Sequence, residues 1–453
     1  MVKITQNVEA AYEEETGGYG NPPDSTLLHF GLLDTFDPRA VEMNITPVPS
    51  IGQSTDAFHA RGPIDVTLPI KVACQGDGWQ KLLGFGIGRT YADDSSNLGT
   101  PMKLTNSVNS MAVLAKETGG NFTLVGGVVP NELTLEADYT TGGYITLDAQ
   151  CTAQFTEDSS DGDFSAGFYA DNYSNNPFPT GPSADPLLPT DLTVSYSTQA
   201  GSPFTGSGLD TDMLKLKIAA GKYVEIGERY LKVYTSAGAL DGTLAASEAA
   251  VPYAGVLDLT HARANTINSV VARINAVYSG DGTSEAGSGA GNDASVNLLK
   301  GIYQTTGGTF KEIGGIQSSS ASGAEGDMAE FSNLKTVSLK LTNNNTPIPG
   351  KTGTTWLQNN KISRGKADVT LDLTMTAEND FLYEKYKQNI SIPLVRLDFG
   401  TSGSIALTNG TITSFSRPLS PGGEIVDTMS IKFRGAGDYK DFSAYAISAD
   451  WTV

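Results

Sequence analysis

Few side chains in this sequence are spaced to do chemistry. The three histidines, His29, His59 and His261, stand in unrelated contexts, and none has metal-ligand spacing to a cysteine or a second histidine. Packing or surface roles are expected for all three. Gly350-Lys351-Thr352 ends like a phosphate-binding loop, but the position that should hold that loop's first glycine is Asn345. Gly84, Gly86 and Gly88 have part of a dinucleotide-fingerprint spacing, yet they follow an expected helix and read as its end. The acids between Glu157 and Asp163 offer hard oxygen ligands suited to calcium. They lack the spacing and closing glutamate of a calcium loop, so a solvated loop is expected. No Gly-x-Ser-x-Gly elbow is present, and no serine–histidine pair has a usable spacing. Cys74 and Cys151 fall at apolar positions of alternating strands and read as small buried hydrophobes. These residues assign no catalytic group, no cofactor and no metal, and an enzyme is not expected.

The composition points the same way. The 453 residues suffice for about three domains. Fifty acids against thirty bases leave a net charge of -20, which repels nucleic-acid phosphates and anionic membranes. Charged residues make up 18% of the chain, below the usual value of about 25%, which argues against coiled coil and charged-tail disorder. Fifty-one glycines, with abundant serine and threonine, predict many strands and many turns. Two cysteines are too few for a disulfide framework. The first residues lack the apolar core of a secretory signal, and no run approaches the ~18 apolar residues of a membrane span. A soluble protein made in a reducing cytoplasm is the expectation.

Alternating strands must position whatever function the chain has. In Ile64 to Cys74, apolar residues recur at every second position, with Pro69 marking an edge or a bend. A short helix follows, with Asp77 as cap and Trp79, Leu82 and Leu83 on one face. Strands are predicted at Val108–Ala115, Phe122–Val129, Glu132–Asp138 and Tyr144–Ala153, with Thr141-Gly142-Gly143 as a hairpin turn. The same order returns late in the chain. Ala367–Thr376 alternates, and a helix carries Leu382 and Tyr386 one turn apart. Strands then follow near Ile392–Phe399, Ile405–Leu407, Ile412–Phe415 and Ile425–Phe433.

Residues from the two stretches can be laid over one another. Arg61-Gly62 and Asp65-Val66-Thr67-Leu68 match Arg364-Gly365 and Asp368-Val369-Thr370-Leu371, 303 positions on. Asn44 and Thr46-Pro47-Val48-Pro49 match Asn344 and Thr346-Pro347-Ile348-Pro349 at 300. Gly142-Gly143 and Ile145 match Gly422-Gly423 and Ile425 at 280. Cys74 and Cys151 then correspond to Ala377 and Ile431. The pattern predicts an internal duplication, with copies at 1–187 and 319–453. Between them, 188–318 reads as an inserted α+β domain with strands at Leu192–Tyr196, Met213–Ala219, Lys222–Ile226 and Tyr230–Tyr234, and a helix over Asn265–Tyr278. The predicted class is mainly β: two tandem sandwich- or barrel-forming units, each with a short helix, plus the insertion.

Acids on the polar faces of these strands are the one feature that composition alone does not account for. Asp65, Glu136, Asp138, Asp148, Asp368, Asp372 and Asp427 suggest a face kept wet and negative, with Asp65 and Asp368 at matched positions.

With these features, the chain resembles the tail tube proteins (major tail proteins) of long-tailed viruses with non-contractile tails. The carrying features are the long loop before each alternating strand (Pro47 to Ile64 and Pro347 to Ala367), the short helix after it, and the Gly-Gly hairpin near the end of each copy. The resemblance covers about 1–187 and 319–453. It implies units that close into rings around a shared β-barrel, and, for a duplicated chain, homotrimeric pseudo-hexameric rings stacked into a tube. Implied partners are further copies of the chain and the tape-measure, tail-terminator and baseplate or tip proteins. Double-stranded DNA would pass through without specific binding, and no membrane is involved. The implied location is the virion tail, after assembly in the host cytoplasm. On this resemblance the seven acids line the lumen. The loops carrying Pro47, Pro49, Phe58, Arg61, Pro347, Pro349, Trp356 and Arg364 bridge neighbouring rings, and the insertion decorates the outside. An acidic conduit repels DNA phosphates and lets the genome slide. The competing expectation is a cell-surface or glycan-binding adhesin or tail-fibre-like β protein.

Overall fold

The computed structural model describes residues 9–15, 27–37, 41–48, 58–87, 102–103, 109–116, 122–158, 181–182, 184–197, 212–227, 230–236, 239–243, 255–259, 261, 263–278, 282–287, 290–292, 295, 298, 301–305, 309–314, 328–352, 356–377, 380–419, 424–434 and 446–451. In chain order the strands begin with β1 (Glu9–Glu14), β2 (Leu28–His29), β3 (Leu32–Phe36), β4 (Val41–Val48) and β5 (Phe58–Ala73). Helix α1 (Gly78–Ile87) precedes β6 (Met102–Lys103), β7 (Met111–Lys116), β8 (Phe122–Asp138), β9 (Thr146–Ala153), β10 (Phe155–Asp158) and β11 (Thr193–Ser197). A middle set comprises β12 (Asp212–Leu216), β13 (Tyr223–Ile226), β14 (Tyr230–Tyr234), β15 (Val256–Asp258), helix α2 (Ile267–Tyr278), β16 (Glu285–Ala286), β17 (Gly301–Gln304) and β18 (Lys311–Gly314). The chain continues with β19 (Met328–Glu330), β20 (Leu334–Thr342), β21 (Thr346–Thr352), β22 (Trp356–Ser363) and β23 (Asp368–Thr376). It ends with helix α3 (Phe381–Gln388), β24 (Ile392–Asp398), β25 (Gly403–Ser416), β26 (Val426–Phe433) and β27 (Ile447–Trp451). The protein is mainly β, as its alternation predicts.

Two compact units partition the chain. The first combines Met1–Thr90, Thr105–Pro189 and Ser338–Asp368; the second combines Tyr91–Leu104, Thr190–Val337 and Val369–Val453. These boundaries differ from cuts at 187 and 318, because 338–368 packs with the first unit and the middle set clusters with the second. Spatial clustering follows contacts, and local sequence patterns do not report them.

In the first unit, β5 pairs antiparallel with β9, β9 with β8, β8 with β7, β7 with β1, and β1 with β2. Val66, Leu68, Ile70 and Val72 of β5 are all buried, so the period of two holds residue by residue. The two strands predicted at 122–129 and 132–138 are one strand, β8, whose ladder to β9 slips at Pro130/Glu132. Proline lacks the N–H for a ladder bond, and a bulge absorbs it without ending the strand.

In the second unit, β23 pairs with β26, β26 with β25, β25 with β24, β24 with β11, and β11 with β19. The strands predicted at 405–407 and 412–415 are one strand, β25, whose ladder to β26 slips farther on, at Ile412/Ser414. β11, grouped by sequence with the inserted segment, belongs to this sheet instead. The middle set has a core of its own. Ile267, Val270 and Ile274 of α2 pack with Met213, Leu216, Val224 and Leu231. Its two sheets run β16–β12–β18 and β15–β14–β13–β17. Within it, Asp241 pairs with Lys222. Burial alone would raise the Asp241 pKa, but hydrogen bonds from Lys222 and Thr243 win and hold it at about 2.

Candidate functional site

On either side of residues 49–57 and 353–355, the stretches expected to be long loops are antiparallel strand pairs, here termed the first and second hairpins. In the first, Thr46 faces Ala60, Pro47 faces His59 and Val48 faces Phe58. In the second, Thr346 faces Ser363, Pro347 faces Ile362, Pro349 faces Asn359 and Thr352 faces Trp356. β21 and β22 form a two-stranded sheet among the described residues, and a strand edge without a ladder partner is where proline is tolerated. Pro49 lies outside the described residues, and for Pro47, Phe58, Arg61, Pro349 and Trp356 the backbone alone is described.

The matched asparagines each mark an irregular point, although the second ladder's own register shift lies farther on, between Ile348 and Pro349. The first ladder slips between Met43 and Ile45, at Asn44, where Ile45 faces Arg61. In the second, Asn344 takes φ +50 and its amide donates to the Lys366 carbonyl at 2.7 Å. Gly365 closes this turn, because a Cβ there would sit 2.2 Å from the Asn344 carbonyl oxygen. No side chain fits against that backbone.

Arg364 sits at the base of the second hairpin, within the first unit. Its guanidinium donates to the carbonyls of Gly86 at 3.1 Å and Ile87 at 3.2 Å, and to Asn343 Oδ1 at 2.9 Å. Gly86 and Ile87 are the last residues of α1, whose terminal carbonyls have no intrahelical partner and carry the negative end of the helix dipole. Asn343 braces the same point, donating to Gly86 O at 2.7 Å and Pro130 O at 3.0 Å. Burial lowers the Arg364 pKa, yet the guanidinium stays charged in any ordinary buffer. Gly86 is needed here too, since an added Cβ would fall 1.8 Å from Leu133 Cδ1. Sequence reading named Arg364 and missed Asn343. The signal was the polar run Asn343-Asn344-Asn345 ending an alternating strand.

The structure sorts the seven acids into different settings. Glu136 and Asp372 are exposed, and Asp65, Asp138, Asp148 and Asp368 are partly covered. Asp138 builds a turn, accepting from Thr140 N at 2.8 Å and Thr140 Oγ1 at 2.6 Å, and these bonds lower its pKa. Asp148 accepts from Gln150 Nε2 at 2.8 Å. Asp427 departs from the wet-face reading: it is 3% exposed, and Arg417 grips it through bonds of 2.6 and 2.8 Å. Its parity is that of Met429, Ile431 and Phe433, all buried, so alternation already placed it inward. The polar faces also carry bases. Lys71 stands opposite Asp148 in the ladder, and Lys432 opposite Thr370.

Only the backbone of His59 is described, and the other two histidines accept local backbone hydrogen bonds. His29 Nδ1 accepts from Gly31 N at 2.6 Å, and His261 Nδ1 accepts from Arg263 N at 3.2 Å. Both cysteines are buried, which pushes the Cys74 and Cys151 thiols up. Among the described residues, no group of three or more His, Cys, Asp or Glu could hold a metal ion. No described helix is long and apolar enough to cross a membrane. What the arrangement can do is bind backbone, through hairpin edges and a guanidinium placed on helix carbonyls.

No family model matches the chain, and no curated protein matches it. Among solved structures it is similar to a chain of the anti-feeding prophage baseplate, at 6% identity and TM-score 0.24, covering 35% of this chain and 95% of that one. A chain from the tail of an empty GTA particle gives 12% identity and TM-score 0.21, covering 28% and 88%. A chain from the sheath/tube terminator of the PVC extracellular contractile injection system gives 12% and 0.22, covering 34% and 94%. At such TM-scores these likenesses carry no argument about what this chain does.

Proposed function

We propose that this protein is a structural subunit of a viral tail tube, carrying two tube units in one chain and no catalysis. The observation that supports it is a repeated register. Val66 to Ala73 pair with Ala153 to Thr146, and Val369 to Thr376 pair with Phe433 to Val426. Those partners stand 303 and 280 positions apart, the offsets at which the sequences themselves match. Strand order agrees as well, β5–β9–β8–β7–β1 against β23–β26–β25–β24–β11. Tyr12 packs on Phe30 at 4.6 Å, and Tyr196 packs on Phe331 at 4.3 Å, at corresponding places. On this reading the second unit begins at β11, and the middle set interrupts it between β11 and β19.

Two like units per chain would make a trimer a pseudo-sixfold ring. Ring closure removes exposed sheet edges, which otherwise invite uncontrolled pairing. Stacked rings follow from head-to-tail contacts that do not close. Further copies of the chain are then its main partners, with tape-measure, terminator and baseplate or tip proteins at the tube's ends. The virion tail is its location, after assembly in the host cytoplasm. Lumen acids are proposed at Asp65, Glu136, Asp138, Asp148, Asp368 and Asp372, and double-stranded DNA would pass without being gripped.

Negative-stain electron microscopy of the concentrated protein tests the reading. Rings or hollow tubes with threefold or pseudo-sixfold end views are expected; monomers that bind a glycan would favour the adhesin instead. Reversing Asp65 and Asp368 to Lys should spare assembly and impair DNA passage, and undiminished infectivity would remove those carboxylates from the lumen.

A further inference from the structure

We infer that the second unit holds a binding site for a small arylalkylammonium ligand, in a cavity between α3 and the strands beside it. The cavity has a volume of about 170 Å³ and is part-open. Tyr196, Phe331, Met375 and Leu382 form its apolar wall, and Glu330 and Asp427 bring carboxylates to it. All six residues belong to the second unit. The inference rests on the residue matches between the two units and does not depend on ring assembly.

Three observations carry it. The first is what the first unit has at the matched positions. At the offset of 303, Trp79 corresponds to Leu382 and Val72 to Met375; at 280, Leu147 corresponds to Asp427. Val72 faces Leu147 in its ladder as Met375 faces Asp427. Trp79, Val72 and Leu147 are all fully buried. The second unit therefore has a leucine where the first packs an indole, and a carboxylate where the first packs a leucine. Gly78 widens the contrast. A Cβ there would sit 2.4 Å from the carbonyl oxygens of His29 and Phe30, so glycine is what lets α1 approach that backbone. Phe381 stands in its place, and its Cβ denies α3 the same approach. The space left is lined by Glu330 and Phe331 on one side and Leu382 on the other.

The second observation is a fixed frame. The rings of Tyr196 and Phe331 lie 4.3 Å apart. Phe331 N–H donates to the Val194 carbonyl at 2.9 Å, and Thr376 N–H to that of Asn333 at 3.1 Å. Arg417 joins Asp380, just before α3, to Asp427. Helix and strand walls are thus held before anything binds, and a preformed site loses little ordering entropy on binding. The third observation is charge. Arg417 neutralises Asp427, whereas Glu330 is exposed and has no ion-pair partner among the described residues.

The chemistry of the occupant follows. Two aromatic rings and a thioether favour a flat aromatic guest, and Trp79 gives the size of ring accepted at the matched position. An apolar cavity of roughly 150 Å³ already takes up benzene. A part-open one admits an indole with its arm toward solvent. Glu330 beside that arm selects an ammonium and rejects a carboxylate.

Isothermal titration of the full chain with tryptamine, an indole on an ethylammonium arm, tests the proposal. Saturable binding with a Kd of roughly 0.1–1 mM is expected for a fragment of this size. Indole-3-acetate, the same ring with the opposite charge, should bind more weakly. Glu330→Gln should weaken tryptamine binding by about two- to fivefold, the effect of losing one exposed charge pair. Leu382→Trp puts the first unit's side chain into the cavity; it should abolish binding and leave the urea midpoint unchanged or raised. Absence of saturable tryptamine binding overturns the proposal. So does parental affinity in a folded Leu382→Trp chain, or indole-3-acetate binding as tightly as tryptamine. Parental tryptamine affinity in Glu330→Gln overturns it as well, and that variant decides the matter if Leu382→Trp does not fold.

Discussion

Helices α1 and α3 each follow an alternating strand that pairs residue for residue with a later strand, yet their surroundings differ throughout. The first, GWQKLLGFGI, buries all ten residues, including Gln80 and Lys81. The second, FLYEKYKQ, buries Leu382 and Lys385 and leaves Tyr383 and Tyr386 at the surface. Each is pinned by one arginine, at opposite ends. Arg364 holds the last carbonyls of α1. Arg417 reaches both Asp380, at the start of α3, and the buried Asp427. A short helix of this length is marginal alone, so what covers it decides whether it is core or surface.

Substitutions at the two arginines separate these roles most sharply. Arg364→Ala should cost about 2–3 kcal/mol, because it leaves buried carbonyls of Gly86 and Ile87 without a charged donor. Urea unfolding followed by Trp79 fluorescence reads this, and a loss below the error of the midpoint would make α1 independent of its clamp. Next, Asp427→Asn should cost about 1–2 kcal/mol, since it weakens a hydrogen-bonded ion pair that is part-covered on the Arg417 side. Hydrogen exchange in α3 should rise with it.

The smallest expected change is a gain. Burial lowers the Lys385 pKa to about 8 from an ordinary 10.5. Between those values the unfolded chain binds the proton and the folded chain does not, so stability rises with pH across that window. Lys385→Met should add about 1 kcal/mol at pH 7 and abolish the rise. An unchanged slope between pH 8 and 10.5 would assign that dependence elsewhere. Thiol labelling sharpens the contrast from the other side. Cys74 and Cys151 should react at the rate of unfolding in the parent and faster in Arg364→Ala.

Much of the sheet was legible because side chains alternate across a strand whatever lies beside it. Val66 to Val72 and Val369 to Met375 read correctly from their spacing. Breaks were harder. Pro130 and the Asn409-Gly410 step look like strand ends; the first is absorbed as a bulge, and the β24–β25 ladder runs through the second without a change of register. The seven acids were found by type, but Asp427 was misplaced although its own parity pointed inward.

What the sequence determined by itself was therefore local and periodic: the β class, the two helices after alternating strands and the matched Arg-Gly pairs. These depend on residues within a few positions of one another, where backbone geometry sets the period. Only the tertiary structure decided that β4 pairs with β5 and β21 with β22, that β11 joins the second sheet, and that Arg364 with Asn343 closes a helix more than 250 positions away. Such contacts gain their energy from burying polar groups against exact partners. No spacing along the chain encodes which carbonyl a guanidinium will meet.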